Sequence, residues 1–312
     1  MLTLQKLAVA MPYIESDGVK LYFEEHGRGY PIIFIHELES DLRSWEPQVR
    51  YFSRSYRCIA YNARGYPPSD VPDDLTSYGW ESAVRDVGHV LRGLSIPQAH
   101  VVGSSMGAYA ALLFGLQCPE SVSAIVAAGA GSGSPPSDRE AWLKKTPVLA
   151  RALVARGMDM MADRMAHHAT RIQFKCKDPK GWQEFLDRLK QQSARGMSNT
   201  LRQVQALRPS LHDFLGVFSQ MTIPVLLALG DEDEPCLETS LMLKTTIPAA
   251  GLWIYPKTGH AINLEEPAAF NAHVEYFLNA VDRGNWCRPV SETASSTCEV
   301  SPSQLRSAGV LP

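Results

Sequence analysis

Gly103-Ser104-Ser105-Met106-Gly107 stands between an apolar run and a long apolar helical pattern, and it is the sharpest chemical feature of the chain. A nucleophile at so sharp a strand-to-helix turn is held in strained backbone geometry, so the residues two before and two after it must be small. Centring the turn on Ser105 puts Gly103 and Gly107 at those places, whereas centring it on Ser104 would crowd Val102 and Met106 into them. Ser105 is therefore the candidate nucleophile. Its hydroxyl would stand at a helix N-terminus, whose dipole and free N–H groups favour a developing oxyanion. A Gly/Ser-rich turn without chemistry is the plainer alternative, and the strand before and helix after count against it.

Serine attacks a carbonyl only if a base takes its proton. Of nine histidines, His260 lies in YPKTGHAINLEEPAAF, between the last strand pattern and the last helix pattern, where a loop can present a ring over the carboxyl edge of a sheet. His89 and His273 fall inside helices, His26 and His100 at the wrong strand ends, and His167, His168 and His212 in a separate helical stretch. As a neutral base, His260 would give activity an acid limb near a pKa of about 6 to 7. The orienting acid should leave a strand between serine and histidine. The exit after 123–129 has no acid before Asp138, while the exit after 224–230 offers Asp231, Glu232, Asp233 and Glu234 in succession. Residue type alone leaves those four open.

The elements that must position these groups follow an α/β rhythm. Strand patterns at 21–27, 31–36, 56–62, 100–103, 123–129, 224–230 and 251–256 alternate with helix patterns at 82–94, 106–118 and 267–281, which predicts a mostly parallel sheet flanked by helices. Between Gly131 and Gln220 the rhythm stops. That stretch opens on the breaker cluster GSGSPPSD and then reads as helices without strands, so it is expected as a helical insertion. Residues 12–130 and 221–282 would then form one core, residues 131–220 a cap, and residues 283–312, rich in Ser, Thr and Pro, a loose C-terminal tail.

Taken together, the Gly103–Gly107 elbow, the acidic turn after 224–230 and the block TGHAINLEEPAAFN resemble the α/β-hydrolase superfamily, in particular its branch of small esterases, lactonases and carbon–carbon bond hydrolases with a helical cap. The resemblance covers roughly residues 12–282. It implies Ser105, Asp233 and His260 as the catalytic triad, with the acid chosen by the pattern G-x-x-D. It implies the N–H groups of Met106 and Leu38 as the oxyanion hole, the latter on a loop that reads Ile35-His36-Glu37-Leu38-Glu39-Ser40. Two positions depart from the family pattern. Glu37 stands where a glycine is usual, and glutamate tolerates fewer backbone angles. Asn62 stands where an aspartate commonly precedes the arginine-glycine pair, here Arg64-Gly65.

Substrate-pocket candidates are His36, Glu37, Glu39, Trp142, Met161 and Met165, with Glu37 or Glu39 shaping the mouth or binding a polar substrate group. The methionines and aromatics of 131–220 could equally well pack the cap. The function implied is hydrolysis of a carboxylic ester or lactone of a medium-sized, partly hydrophobic molecule through an acyl-enzyme, with amides, carbamates and thioesters as neighbours. Carbon–carbon hydrolysis, cofactor-free perhydrolysis and a non-catalytic small-molecule receptor on the same fold are the alternatives. Serine at the elbow disfavours aspartate-nucleophile relatives such as haloalkane dehalogenases and epoxide hydrolases. No metal and no organic cofactor is expected.

Composition sets the outer limits. Thirty Lys+Arg against 33 Asp+Glu give a net charge of −3 without a block of like charges, so neither nucleic acid nor a membrane surface is an expected partner; a small molecule is. Six scattered cysteines form no CxxC and no zinc spacing, and are expected as free thiols. The N-terminus lacks the apolar run of a signal peptide, so the expected location is the cytoplasm. Oligomeric state has no signature.

Overall fold

The computed structural model describes residues 12–286. Eight strands form one sheet: β1 (Tyr13–Ser16), β2 (Val19–His26), β3 (Tyr30–Ile35), β4 (Tyr56–Tyr61), β5 (Ala99–Ser104), β6 (Val122–Ala128), β7 (Val225–Gly230) and β8 (Ala250–Tyr255). Their spatial order is β1-β2-β4-β3-β5-β6-β7-β8. The pairs β1/β2 and β2/β4 are antiparallel and the rest parallel. The strand β5 lies between β3 and β6 with all six residues buried, which is why it reads as a continuous apolar run rather than an alternating one.

The flanking helices up to the elbow are α1 (Glu46–Phe52), α2 (Trp80–Gly93) and α3 (Met106–Gln117). Ten of the twelve residues of α3 are buried, so its apolar sequence needs no polar face. Between β6 and β7 come α4 (Pro136–Ala166), broken at Gly157 (φ 75°), then α5 (Ile172–Lys177), α6 (Pro179–Lys190), α7 (Ala194–Thr200) and α8 (Leu215–Phe218). This is the predicted helical insertion, and it contains no strand. The helices after β7 among the described residues are α9 (Glu234–Thr246), α10 (Ile262–Glu265) and α11 (Pro267–Asp282).

Three apolar clusters hold the layers together. One face of the sheet packs Val87, Leu91, Leu112 and Phe114, and the other packs Trp45, Phe270, Val274 and Phe277. A third joins the insertion to the carboxyl edge of the sheet through Leu38, Met106, Met161, Met165, Phe174 and Trp182. Of the segment expected as a tail, residues 283–286 are described, and there Trp286 packs edge-on against Phe277 and its indole N–H donates to Ala249 O at 2.8 Å. Residues 287–312 lie outside the described residues, as do Cys287 and Cys298. Cys58, Cys118, Cys176 and Cys236 are free thiols. No helix of the described residues is long and apolar enough to cross a membrane.

Candidate active site

Ser105 has φ 52° and ψ −108°, a backbone conformation that L-residues adopt only under constraint. The constraint is close approach. A Cβ on Gly103 would lie 2.2 Å from Gly107 O, and one on Gly107 would lie 2.1 Å from Ile35 O. The glycines two before and two after the serine are therefore required by contact between β5, α3 and the end of β3. The Ser105 N–H donates to Ala128 O at 2.7 Å, which ties the turn to β6.

The acidic turn after β7 sorts its four carboxylates by direction. Asp233 is buried, and its Oδ2 accepts from His260 Nδ1 at 2.8 Å. Asp231 caps the Thr258 N–H, Glu232 faces out to Lys257 and Gln173, and Glu234 begins α9. The His260 loop is held from both sides. Glu265 accepts from the N–H groups of Gly259 and Ala261, and Thr170 of the insertion accepts from His260 N at 2.9 Å. Burial disfavours the imidazolium, but the charge and hydrogen bond of Asp233, with Cys236 beside it, outweigh burial and hold the His260 pKa well above the ordinary imidazole value.

Ser105, Asp233 and His260 line one cavity of about 1020 Å³ beneath the insertion. No hydrogen bond joins Ser105 to His260 among the described residues, and such bonds commonly tighten only when substrate is bound. Cys236 completes a cluster whose ligand atoms lie within 4.8 Å of one another. Its thiol donates to Gly129 O at 3.2 Å and burial raises its pKa, so it is a neutral donor rather than a thiolate ligand.

Met106 is the first residue of α3, so its N–H has no partner within the helix. Leu38 lines the cavity beside Ser105, and two bonds fix its peptide units. Tyr66 Oη donates to Leu38 O at 2.8 Å, and His36 Nδ1 donates to Glu37 O at 2.7 Å. Because the Glu37 carbonyl and the Leu38 N–H share one planar unit, anchoring the first fixes the direction of the second. His36 Nε2 accepts from Ala63 N at 3.0 Å, and burial lowers its pKa, so the ring is neutral and structural. It does not line the cavity, contrary to its place among the pocket candidates.

Glu37 is absent from the residues with positive φ, so replacing the usual glycine imposes no backbone strain. Its side chain is buried rather than open to the mouth. Arg171 Nη2 bonds Glu37 Oε2 at 2.7 Å and approaches Glu39 Oε2 at 3.5 Å, and Glu37 Oε2 lies 3.8 Å from His260 Nε2. Burial opposes the Arg171 charge, but Glu37 and Glu39 more than compensate and keep it a cation. Asn62, the second departure, accepts from Leu42 N and donates to Pro67 O, and so braces the neighbouring loops. Glu39, Trp142 and Met165 line the cavity, whereas Met161 is fully buried in the cluster below the insertion and does not. Arg171 and Arg208, both lining the cavity, carried no sequence signal: each is a lone arginine in a helical stretch without a motif.

The family model described as alpha/beta hydrolase fold matches residues 30–267. The chain belongs to that family. It is 26% identical over 247 residues to 3-oxoadipate enol-lactonase 2 of Acinetobacter baylyi, covering 78% of this chain and 86% of that protein. A match to Epoxide hydrolase 3 of Mus musculus is 30% identical over 124 residues, 39% of this chain, and spans about a third (34%) of that relative's length. Among solved structures, the enol-lactonase from Burkholderia xenovorans LB400 superposes with TM-score 0.75 at 23% identity, over 86% of this chain and 100% of that one, a likeness of fold.

Proposed function

We propose that the protein is a serine hydrolase cleaving a carboxylic ester or lactone of a medium-sized, partly hydrophobic small molecule. The observation that carries this reading is the convergence, in one cavity, of a serine at a constrained positive φ and a histidine whose Nδ1 is bonded to a buried carboxylate. Relatives named as enol-lactonase and carbamate hydrolase support acyl transfer. In this reading Ser105 Oγ attacks the carbonyl carbon while His260 Nε2 accepts its proton. Asp233 holds the ring in the Nδ1–H tautomer and stabilises the imidazolium. The N–H groups of Met106 and Leu38 receive the oxyanion. Collapse expels the alcohol, which takes the proton from His260, and water repeats the sequence on the acyl-enzyme.

In this reading the helical insertion is a cap, tied to the catalytic edge by Arg171 to Glu37 and by Thr170 O to His260 N. A fluorophosphonate probe and short p-nitrophenyl esters test the proposal beside a Ser105→Ala control. Labelling and turnover in the wild type, both lost in the control, are the expected result. A folded wild type that neither labels nor turns over any ester rejects it, and labelling that survives in the control moves the nucleophile elsewhere.

A further inference from the structure

Arg208 is 4% exposed, lines the cavity that Ser105 also lines, and has no carboxylate among the described residues to neutralise it. The titratable groups that act on it are Tyr109, Arg139 and Cys236. Its guanidinium lies over the rings of Tyr109 and Trp142 at 4.8 and 5.5 Å, and Nη2 donates to Ser132 O at 2.7 Å. These contacts fix the plane of the group, but they supply no counter-charge. Burial brings its pKa down to about 10, which leaves it a cation at neutral pH. An arginine buried without an anion is costly, and the other buried arginines among the described residues avoid that cost: Arg64 pairs with Asp86 and Arg171 with Glu37.

The surroundings add to the positive charge. Arg139 donates to the carbonyls of Gly133 and Arg208, and Lys145 Nζ lies 5.6 Å from the centroid of the Trp142 ring. Carboxylates on the same cavity are engaged or remote: Asp233 is bonded to His260, Glu39 lies beside Arg171, and Asp138 and Asp163 are exposed. A short run of contacts joins this end of the cavity to the reacting end. Arg208 bonds Ser132 O, Ser132 Oγ lies 3.4 Å from Cys236 Sγ, and Cys236 Sγ lies 3.9 Å from His260 Nδ1.

The geometry points to an anion subsite at Arg208, so that the substrate is an ester or lactone carrying a carboxylate at the far end of its acyl chain. This inference rests on the proposed hydrolase reading, whose cavity it shares. Guanidinium recognises carboxylate through its fixed planar fork, and the Tyr109 and Trp142 rings beside it restrict its motion. Ser105 and Arg208 line the same cavity of about 1020 Å³, which holds a medium-sized acyl chain, and the apolar side chains of Leu149 and Leu201 line it as well.

Two measurements test it separately from the chemistry. In the first, p-nitrophenyl monoesters of glutaric and adipic acid are compared with p-nitrophenyl esters of neutral acids of equal length. The anionic members should show a kcat/KM about ten- to hundredfold higher in the wild type, and Arg208→Gln should bring that ratio to about one, with Arg208→Lys in between. A wild-type ratio at or below one, or a ratio unchanged in Arg208→Gln, overturns the subsite. In the second, calorimetry on the Ser105→Ala protein compares monomethyl glutarate with the neutral dimethyl ester, which reads binding even if Arg208→Gln does not fold. Preference for the anion supports the subsite, and equal or absent binding overturns it. If Ser105→Ala still turns over esters, the nucleophile assignment falls while the binding result stands.

Discussion

The floor and the roof of the cavity are built by different physics. The floor is held through main-chain groups: Ser105 is placed by glycine-limited contacts between β5, α3 and β3, and the His260 loop by its own N–H groups, which donate to the Glu265 carboxylate and to Thr170 O. The roof is side chains: Arg171 and Arg208 enter from the insertion as buried cations, one neutralised by Glu37 and the other stacked on aromatic rings. Backbone contacts permit almost no variation, while a long side chain can be exchanged without disturbing the sheet. Under the proposed hydrolase reading, the floor carries the part of the reaction common to all substrates, and the roof chooses among them.

The largest expected effect falls on the floor. Ser105→Ala should lower ester turnover by roughly ten-thousandfold or more, with the melting temperature unchanged within a few degrees. Ser105→Gly should be equally inactive yet more stable than the wild type by up to about 1 kcal/mol, because glycine adopts φ 52° without strain. Denaturant titration of the three proteins checks this. A Ser105→Gly protein less stable than Ser105→Ala would show that the elbow stores no strain.

The next effect tests the junction of roof and floor. Arg171→Met leaves Glu37 buried beside His260 without its cation, and should cost about 3 to 5 kcal/mol at neutral pH. The Arg171→Met, Glu37→Leu double variant removes the stranded charge as well and should recover most of that loss. Thermal melts of the single and double variants check this. A double variant no more stable than Arg171→Met would mean that Arg171 contributes only packing against Phe185. A smaller contrast lies within the insertion. Met161→Ala should lose about 2 to 5 kcal/mol of stability with the order of preference among esters intact, whereas Trp142→Ala should reorder that preference. Kinetics on an ester series, beside melts, separates the two.

What could be read in the sequence divides along the same line. Ser105 was legible because steric demand is written locally, as glycine at both flanking places. Strands such as β5 and β7 were legible because burial on both faces leaves long apolar runs. The four-residue β1 gave too short a pattern, and α9 hides because Leu237, Leu241, Met242 and Leu243 wrap around it rather than forming one stripe. The choice of Asp233 among four acids needed the family pattern, since direction out of a turn has no local code. Glu37 and Arg171 are 134 residues apart, and nothing in either neighbourhood announces the pair. His36 looked like a pocket residue from its place in the loop, yet it anchors the peptide whose other end is the Leu38 N–H.

The smallest expected effect asks whether roof and floor are electrostatically separate. His260 lies between two carboxylates, Asp233 at 2.8 Å from Nδ1 and Glu37 at 3.8 Å from Nε2, but Glu37 already shares its charge with Arg171. The raised pKa of His260 should therefore be mainly the work of Asp233. In the Ser105→Ala background, NMR titration of the imidazole should show a large fall in pKa on Asp233→Asn and a much smaller fall on Glu37→Gln. Equal falls would mean that Arg171 does not screen Glu37 and that the roof sets the basicity of the floor. The same raised pKa makes stability and activity oppose each other. Its stabilising contribution is complete below the unfolded value of about 6.5 and is lost as the pH rises through the folded pKa, while the neutral base required for attack appears only over that rise. Activity should thus climb with pH through a value above the ordinary imidazole range as this part of the stability is given up, and Asp233→Asn should abolish that opposition.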